Sequence, residues 1–490
     1  MERLMRVRAV FRKKTRASVS VFFLLVLSFL LSLLFTLRTA VLESTRKLQI
    51  EQAMNTSMNA VFAEYHRELL DQYDILAIDT SYGTSSTDAY NTAGHLQSYM
   101  NGNFGKGMLK DLDMLGLTAE DVAVEQVKRL TDGGGLAFEK QAVASMRAMA
   151  GLPNHEEQVG DETGDYQKAQ ELLSSESENA MDQMWDQATQ SLSSQELPTI
   201  TDETGEEQTV ALENPADAVW SARGLGILRL VIEDQDSLSN ERVKKEELLS
   251  NRECLREYCG EGDISVGIGE QLAFRQYLFM KFGHYRNPLE KSHLKYQIEY
   301  LIAGTESDYD NLEKIATRIS LLRFLMDYRY LSNDAAKIAQ AKTVALALTA
   351  VAMKPELEPF VTRTLLFAWS YAEAVSDVKR LLDGGKVPMN KTSADWRLGI
   401  ENIGNFKDEL GDAGTETGLS YEEYLRIYLA LVPGERLAKR AMDLVETDIR
   451  KTSGNEAFRL DNCIVSLDAG VRVVAAGKEY YIRRRFAYDD

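Results

Sequence analysis

Residues 17–37 read ASVSVFFLLVLSFLLSLLFTL, a run of 21 residues without a charge or a proline. As a helix it reaches roughly 31 Å, close to the thickness of a bilayer's hydrocarbon core. A helix apolar on every side has no polar face to give to water. Its serine and threonine hydroxyls can bond back to their own helix carbonyls, so they do not argue against lipid. This run constrains the chain before anything else does: residues 17–37 are predicted to be a single transmembrane helix.

The flanks give the orientation. Arg3, Arg6, Arg8, Arg12, Lys13, Lys14 and Arg16 precede the span, against the single acid Glu2. Positive flanks stay in the cytoplasm, so the N-terminus is expected inside and residues 40–490 outside. The competing reading is a cleaved secretory signal, whose apolar region is usually ~7–15 residues long and ends in small residues at the cut. The run here is longer, and Arg38 stands where a cut after Ala40 calls for a small side chain.

Charge narrows the partners. The chain of 490 residues carries a formal −19. The first 16 residues hold seven bases and one acid, a net +6, which leaves −25 on the remainder. Phosphate contacts need a basic surface, so nucleic acid is excluded as a partner. The basic tail reads instead as a topology signal that also attracts anionic lipid. Three cysteines, Cys254, Cys259 and Cys463, are too few for a disulfide-built scaffold. Cys254 and Cys259 read as structural thiols or as a local disulfide. A zinc site is the weakest reading, because no second Cys or His pair stands at ligand spacing.

The fold class expected is α+β and mostly helical. It would comprise a basic tail (1–16), the transmembrane helix (17–37), a stalk helix (38–72), a mixed α/β lobe (73–153), an acidic linker or insertion (154–217) and a helical body with a small sheet and a β-rich C-terminus (218–490). The stalk contains no glycine or proline, and Ile50, Met54, Ser57 and Val61 fall near heptad spacing beside a stripe of small residues at Ala53, Ala60 and Ala63. These seven are the helix-packing candidates. The stripe either docks on the chain's own domain or receives other anchored subunits, a second copy included.

Further along, YDILAID (73–79) and DVAVEQVKRL (121–130) read as strands, and GGG at 133–135 turns the chain into a helix over 136–149. Between 154 and 217 seventeen acids face one base, Lys168, around one modest helix at 166–192. Calcium is a poor fit there, because no DxDxDG loop with its terminal Glu is present. Long helices are expected at 217–233, 240–257, 267–284, 308–330, 334–351, 358–383, 420–431 and 434–451. LKYQIEYLIAG (294–304) alternates as a strand, and the C-terminal tail reads as strands with DAG and AAGK as turns.

No chemistry-bearing motif stands out. Walker A, GxSxG and HExxH patterns are absent, and the five histidines are scattered. Asp79-Thr80-Ser81 after a strand partly matches the DxSxS metal site of von Willebrand A-type domains, but Gly83 occupies the place of the second Ser. No catalytic set, cofactor or metal is expected. The loop DGGKVPMNKTSADW (383–396) offers Lys386, Pro388, Lys391 and Trp396 as partner-contact candidates; the alternative is a loop packed on its own helices.

The segment RASVSVFFLLVLSFLLSLLFTLRTAVLESTRKLQIEQAMNTSMNAVFAEYHRELLDQYDILAID resembles the N-terminus of an uncharacterised bacterial membrane-anchored family encoded beside tight-adherence (Tad, Flp-type) pilus and secretion genes. Leu48, Gln49, Ala53, Ala60 and Ala63 also resemble the stalk of TadE- and TadG-like pseudopilins. YDILAIDTSYG, LKYQIEYLIAG and FAWSYAEAVSDVKRLLDGGKVPMNK are similar to segments of the same uncharacterised family. The resemblance implies a non-enzymatic, membrane-anchored component of a pilus or secretion apparatus. It departs from a processed pilin: the span holds no glutamate, Glu43 lies beyond it, and no prepilin peptidase site is visible. The alternative is an anchored enzyme or ligand-binding domain.

Overall fold

The computed structural model describes residues 2–84, 90–104, 115–150, 199–201, 207–209, 219, 221–222, 224–252, 268–351, 355–410 and 417–488. The expected helix at 166–192 and the pair Cys254 and Cys259 lie outside the described residues. The fold is α+β and mostly helical, with a small antiparallel sheet. It divides into two compact units: unit 1 is residues 1–70, 76–130 and 461–490, and unit 2 is residues 71–75 and 131–460.

Unit 1 begins with α1 (Glu2–Phe62), one unbroken helix. No glycine or proline interrupts it, and Val19–Leu37 is exposed on every side. The hydroxyls of Ser28, Thr36, Thr39 and Thr45 each donate to a carbonyl three or four residues back at 2.8 Å. This helix is long and apolar enough to cross a membrane. The expected stalk to residue 72 stops ten residues early. After Phe62 the chain loosens, His66 N bonds to the Ala77 carbonyl, and His66 Nδ1 accepts from Leu69 N to start a separate short helix, α2 (Arg67–Tyr73). A side-chain cap does here what a glycine or proline does elsewhere.

The sheet of unit 1 is built around its last-made strands. β1 (Ile78–Asp79) is all that forms of the expected strand at 73–79. After α3 (Tyr90–Phe104) comes β2 (Thr118–Arg129). The central strand comes from the other end of the chain: β5 (Cys463–Ala475) pairs antiparallel with β1, with β2 and with the final strand β6 (Lys478–Ala487). The expected turn at AAGK is present, with Ala476 and Gly477 both at positive φ (49° and 77°), as a tight hairpin requires. The expected turn at DAG is not: Asp468, Ala469 and Gly470 continue β5. One face of the sheet packs on α1 and α3 through Ile464, Leu467, Ala469, Val471 and Val473 against Ile50, Met54, Met58, Val61, Leu96 and Met100. The other face carries a charge ladder, with Arg472 near Glu120 and Glu479 and Arg483 near Glu125 and Asp468.

Unit 2 opens with α4 (Asp132–Ala150), whose three glycines, 133 to 135, take left-handed φ values of 61°, 71° and 96°. A short hairpin, β3 (Thr199–Thr201) with β4 (Glu207–Thr209), lies within the expected linker. The named helices that follow are α5 (Ile227–Val231), α6 (Ile268–Lys281), α7 (Gln297–Ala303), α8 (Asp308–Asn333), α9 (Ala335–Val351), α10 (Glu358–Leu382), α11 (Tyr421–Leu431) and α12 (Gly434–Arg450). Five expected helices, from 308 onward, land within three residues at each end. Caps explain the precision: Ser307 Oγ accepts from Asp310 N, and Ser420 with Glu423 forms a full capping box.

Three expectations in unit 2 fail. LKYQIEYLIAG is not a strand; it holds α7, ended by Gly304 in the left-handed conformation. Every residue from Gln297 to Ile302 is buried, so alternation there carried no information about which face was wet. The expected helix at 240–257 is replaced, over its described part, by two 3-10 turns (Lys245–Glu247 and Leu249–Asn251). There the backbone finds tertiary partners instead: Val243 N bonds to Glu306 O, and Ser250 N to Asp443. At 217–233 the described residues Val219, Ser221 and Ala222 are helical, and a turn at Gly224 and Leu225 separates them from α5. The domain boundaries also differ. The β-rich C-terminus belongs with the N-terminal lobe, and α4 belongs with the helical body.

Candidate functional site

The stalk stripe is taken up internally. Ile50, Ala53, Met54, Ser57 and Val61 are buried within unit 1, Ala60 is half-buried and Ala63 is exposed. Asn103 donates to Ser57 Oγ at 3.1 Å, so the one polar member of the stripe is satisfied from α3. Of the two readings of this surface, docking on the chain's own domain is the one found. The helix face left outward runs through Leu48, Gln52, Asn55 and Asn59, which follow one another at helical spacing and are exposed.

The contact-loop candidates separate. Lys386 is exposed, but Lys391 and Trp396 are buried, and the Pro388 carbonyl accepts from Arg323 at 3.0 Å. Lys391 Nζ lies 2.6 Å from Glu373, 2.7 Å from Asp377 and 3.5 Å from Asp327. Arg323, fully buried, reaches Asp377 at 2.9 Å and Asp327 at 3.1 Å, and also donates to Met389 O. Arg380 meets the second oxygen of Asp377 at 3.2 Å. Three cations and three carboxylates thus close a water-excluded cluster between α8, α10 and the loop. Trp396 and Trp369 both donate their indole N–H to Leu398 O. The loop is packed on its own helices.

The electrostatics follow from burial. Burial would raise Asp377, but Lys391 and Arg323 override it and hold its carboxyl below the ordinary value. Asp327 goes the other way: burial, aided by the like charges of Asp377 and Glu373, lifts it to about 7 against the pull of Lys391 and Arg323. Lys391 stays charged because Asp327, Asp377 and Glu373 outweigh its desolvation. The signal for this cluster was in the sequence as acids and bases at i, i+4 inside apolar helices: Arg323 with Asp327, and Glu373 with Asp377. Such charges have no solvated face and must find one another.

A second buried carboxylate was not singled out from the sequence. Glu299 Oε1 accepts from Tyr285 N (2.9 Å) and the Tyr421 hydroxyl (2.8 Å), while Oε2 has no hydrogen-bond partner. Burial raises its pKa to about 7, against the lowering effect of those two donors. A folded-state value above the unfolded one means the folded chain holds a proton that the unfolded chain has released. Stability contributed by this group therefore falls as pH rises from about 4.5 to about 7. Glu299→Gln should remove that slope and stabilise unit 2 above pH 7 by up to about 3 kcal/mol, read as urea midpoints measured across pH.

Unit 2 also holds a polar cleft of about 790 Å³. Lys245, Lys314, Arg436 and Arg440 face Glu306 and Asp310 across it, with Lys439 paired to Glu435 at 2.8 Å. Arg440 donates to the Leu301 and Ile302 carbonyls and so also closes the C-terminus of α7. Tyr300 gives its hydroxyl to Asp443, whose other oxygen takes Ser250 N. Five of the lining side chains are Lys or Arg, a lining that suits a hydrated anion.

The Asp79 turn is self-contained: Asp79 accepts from Ser81 N and Ser81 Oγ, both at 2.9 Å, and Gly83 N donates to Ser81 Oγ. Its carboxylate serves its own turn. Among the described residues no group of three or more His, Cys, Asp or Glu is placed to hold a metal ion. No curated protein and no solved structure matches the chain. Residues 205–475, more than half of its length, match the model of a family of unknown function (DUF5702), and the chain belongs to that family.

Proposed function

We propose that this chain is a non-enzymatic, single-pass membrane component of a Tad/Flp-like pilus or secretion apparatus, with its N-terminus in the cytoplasm and its bulk outside. The observation that carries the reading is the continuity of α1: the same helix that exposes Val19–Leu37 on all sides becomes, from Ile50 onward, a core element of unit 1. Such a helix transmits position from bilayer to lobe without a hinge. The basic N-terminal flank supports the orientation, and the resemblance of the span and stalk to anchored pilus-associated proteins supports the class of assembly. The strongly perturbed buried groups, Asp327, Asp377 and Lys391 among them, are engaged with one another, which suits a structural role.

Because the stalk stripe is used internally, contact with other anchored subunits falls to the span and to the outward face. Photo-crosslinking side chains at Leu48, Gln52 and Asn59, in cells that express the neighbouring genes, should capture pilus or secretion proteins or a second copy. Failure to capture any of these at all three positions would count against assembly through the stalk. It would favour the second reading, an anchored ligand-binding domain, for which the basic cleft of unit 2 is the supporting observation.

A further inference from the structure

Six residues separate the last position of the apolar run, Leu37, from Glu43, the first residue of α1 that unit 1 grips. In a continuous helix that is about 9 Å. Glu43 is held by the β5–β6 hairpin: Lys478 Nζ lies 2.5 Å from its Oε1, and the Tyr480 hydroxyl 2.9 Å from its Oε2. At the opposite end of the same strand, the Tyr488 hydroxyl bonds to the Phe62 carbonyl. Strand β6 therefore runs alongside α1 in the same direction, with its hairpin turn nearest the apolar run. The lobe does not stand off on a stalk; it begins where the span ends.

On α1 beside the apolar run and at the β5–β6 turn, bases outnumber acids. Over residues 38–47 and 475–478 the bases are Arg38, Arg46, Lys47 and Lys478, and the single acid is Glu43. Arg38 and Lys47 are exposed, and Lys478 keeps 58% of its side chain in solvent. Arg46 is pinned by its bond to the Leu115 carbonyl at 3.1 Å. The polar layer of a bilayer extends roughly 5–8 Å beyond the hydrocarbon edge, within the downward reach of lysine and arginine side chains. Net positive charge at that height meets the phosphate groups of lipid. The next acid up α1, Glu51, stands about 12 Å above Glu43, and Glu479 is already paired with Arg472.

We propose that unit 1 rests directly on the bilayer that α1 crosses, with the β5–β6 turn at headgroup depth and Arg38, Lys47 and Lys478 as a collar that binds lipid phosphate. This rests on the reading of α1 as a membrane span.

The test uses the full chain in vesicles of phosphatidylcholine with and without phosphatidylglycerol. A photoreactive side chain is placed at Glu479, at Arg485 or at Leu30, and lipid adducts are counted by mass spectrometry. Arg485 stands six residues further along β6, about 20 Å higher. Adducts at Glu479 should exceed those at Arg485 by roughly tenfold, because a photoreactive side chain labels only what it touches and Arg485 stands beyond the headgroup layer. Yield at Glu479 should rise with phosphatidylglycerol and fall severalfold when Arg38, Lys47 and Lys478 are all changed to Gln. Adducts at Leu30 without any at Glu479 would overturn the proposal and leave the anchor standing. No adducts at Leu30 would remove the anchor, and the collar with it. An unchanged yield in the triple Gln variant would overturn phosphate binding by these bases.

Discussion

Deleting residues 461–490 is expected to unfold unit 1 while helical protection in α8 and α10 persists. Every pairing in the four-stranded sheet involves β5, which sits between β2 on one side and β1 and β6 on the other. The deletion removes Ile464, Val465, Leu467, Val471 and Val473, all buried. At about 1.5–3 kcal/mol each, these five side chains account for roughly 7–15 kcal/mol of burial, as much as a whole domain's net stability. Hydrogen exchange on the full and shortened chains in detergent micelles checks it. Lost protection in β2 and α3 is the expected result, and native-like protection in β2 after the deletion would refute it.

The second large effect is expected from Lys391→Met. The single substitution leaves Glu373, Asp377 and Asp327 with Arg323 and Arg380 alone, in a place water does not reach. Breaking a buried ion pair from one side costs about 3–5 kcal/mol, because the surviving charge is stranded. The carboxyls most relieved by protonation should then titrate upward, so the loss should deepen as pH rises past 7. Adding Glu373→Gln to Lys391→Met restores charge balance and should return part of the stability. Urea midpoints for the two variants at pH 6 and pH 8 separate this from simple loss of packing, which would be insensitive to both pH and the second substitution.

How legible was this fold? α8 and α11 start at the capping serines Ser307 and Ser420, and α10 starts with a proline in its first turn; these signals act locally, so residues near 308, 358 and 420 could be placed closely. The strand at 118–129 and the AAGK hairpin were local in the same sense. What escaped notice was non-local. Alternation in LKYQIEYLIAG is a reliable strand signal only when one face is wet, and here both are covered. The partner of β2 lies more than 300 residues away in sequence, and nothing in either strand announces the other. For the loop carrying Lys391 and Trp396 two readings stood open, partner contact and packing on its own helices, and both side chains are buried. Their burial depends on Glu373, Asp377 and Asp327, which only the packing of α8 on α10 brings together. Of the stalk stripe, Ile50, Ala53, Met54, Ser57 and Val61 are buried while Ala60 is half-buried and Ala63 exposed, and what covers the buried ones, α3 and the sheet, could not be read from the stripe itself.

The placement of β5 bears on how such a chain comes to be made. Ile78 waits for Ile464, and the face of α1 formed by Ile50, Met54, Met58 and Val61 waits for the same strand. Closing so long a loop from a disordered chain is entropically unfavourable, and the cost grows with loop length. The bond from Leu130 N to the Cys463 carbonyl, at 3.0 Å, shows that the chain leaves unit 1 and returns to it at neighbouring points. Once the intervening roughly 330 residues have folded, that long loop behaves as a short staple. Synthesis delivers the N-terminus first, so the lobe packed on α1 begins the described chain and is closed by its last strands. A chain interrupted anywhere before residue 463 would leave the apolar face of α1 from Ile50 to Val61 without the strand that covers it.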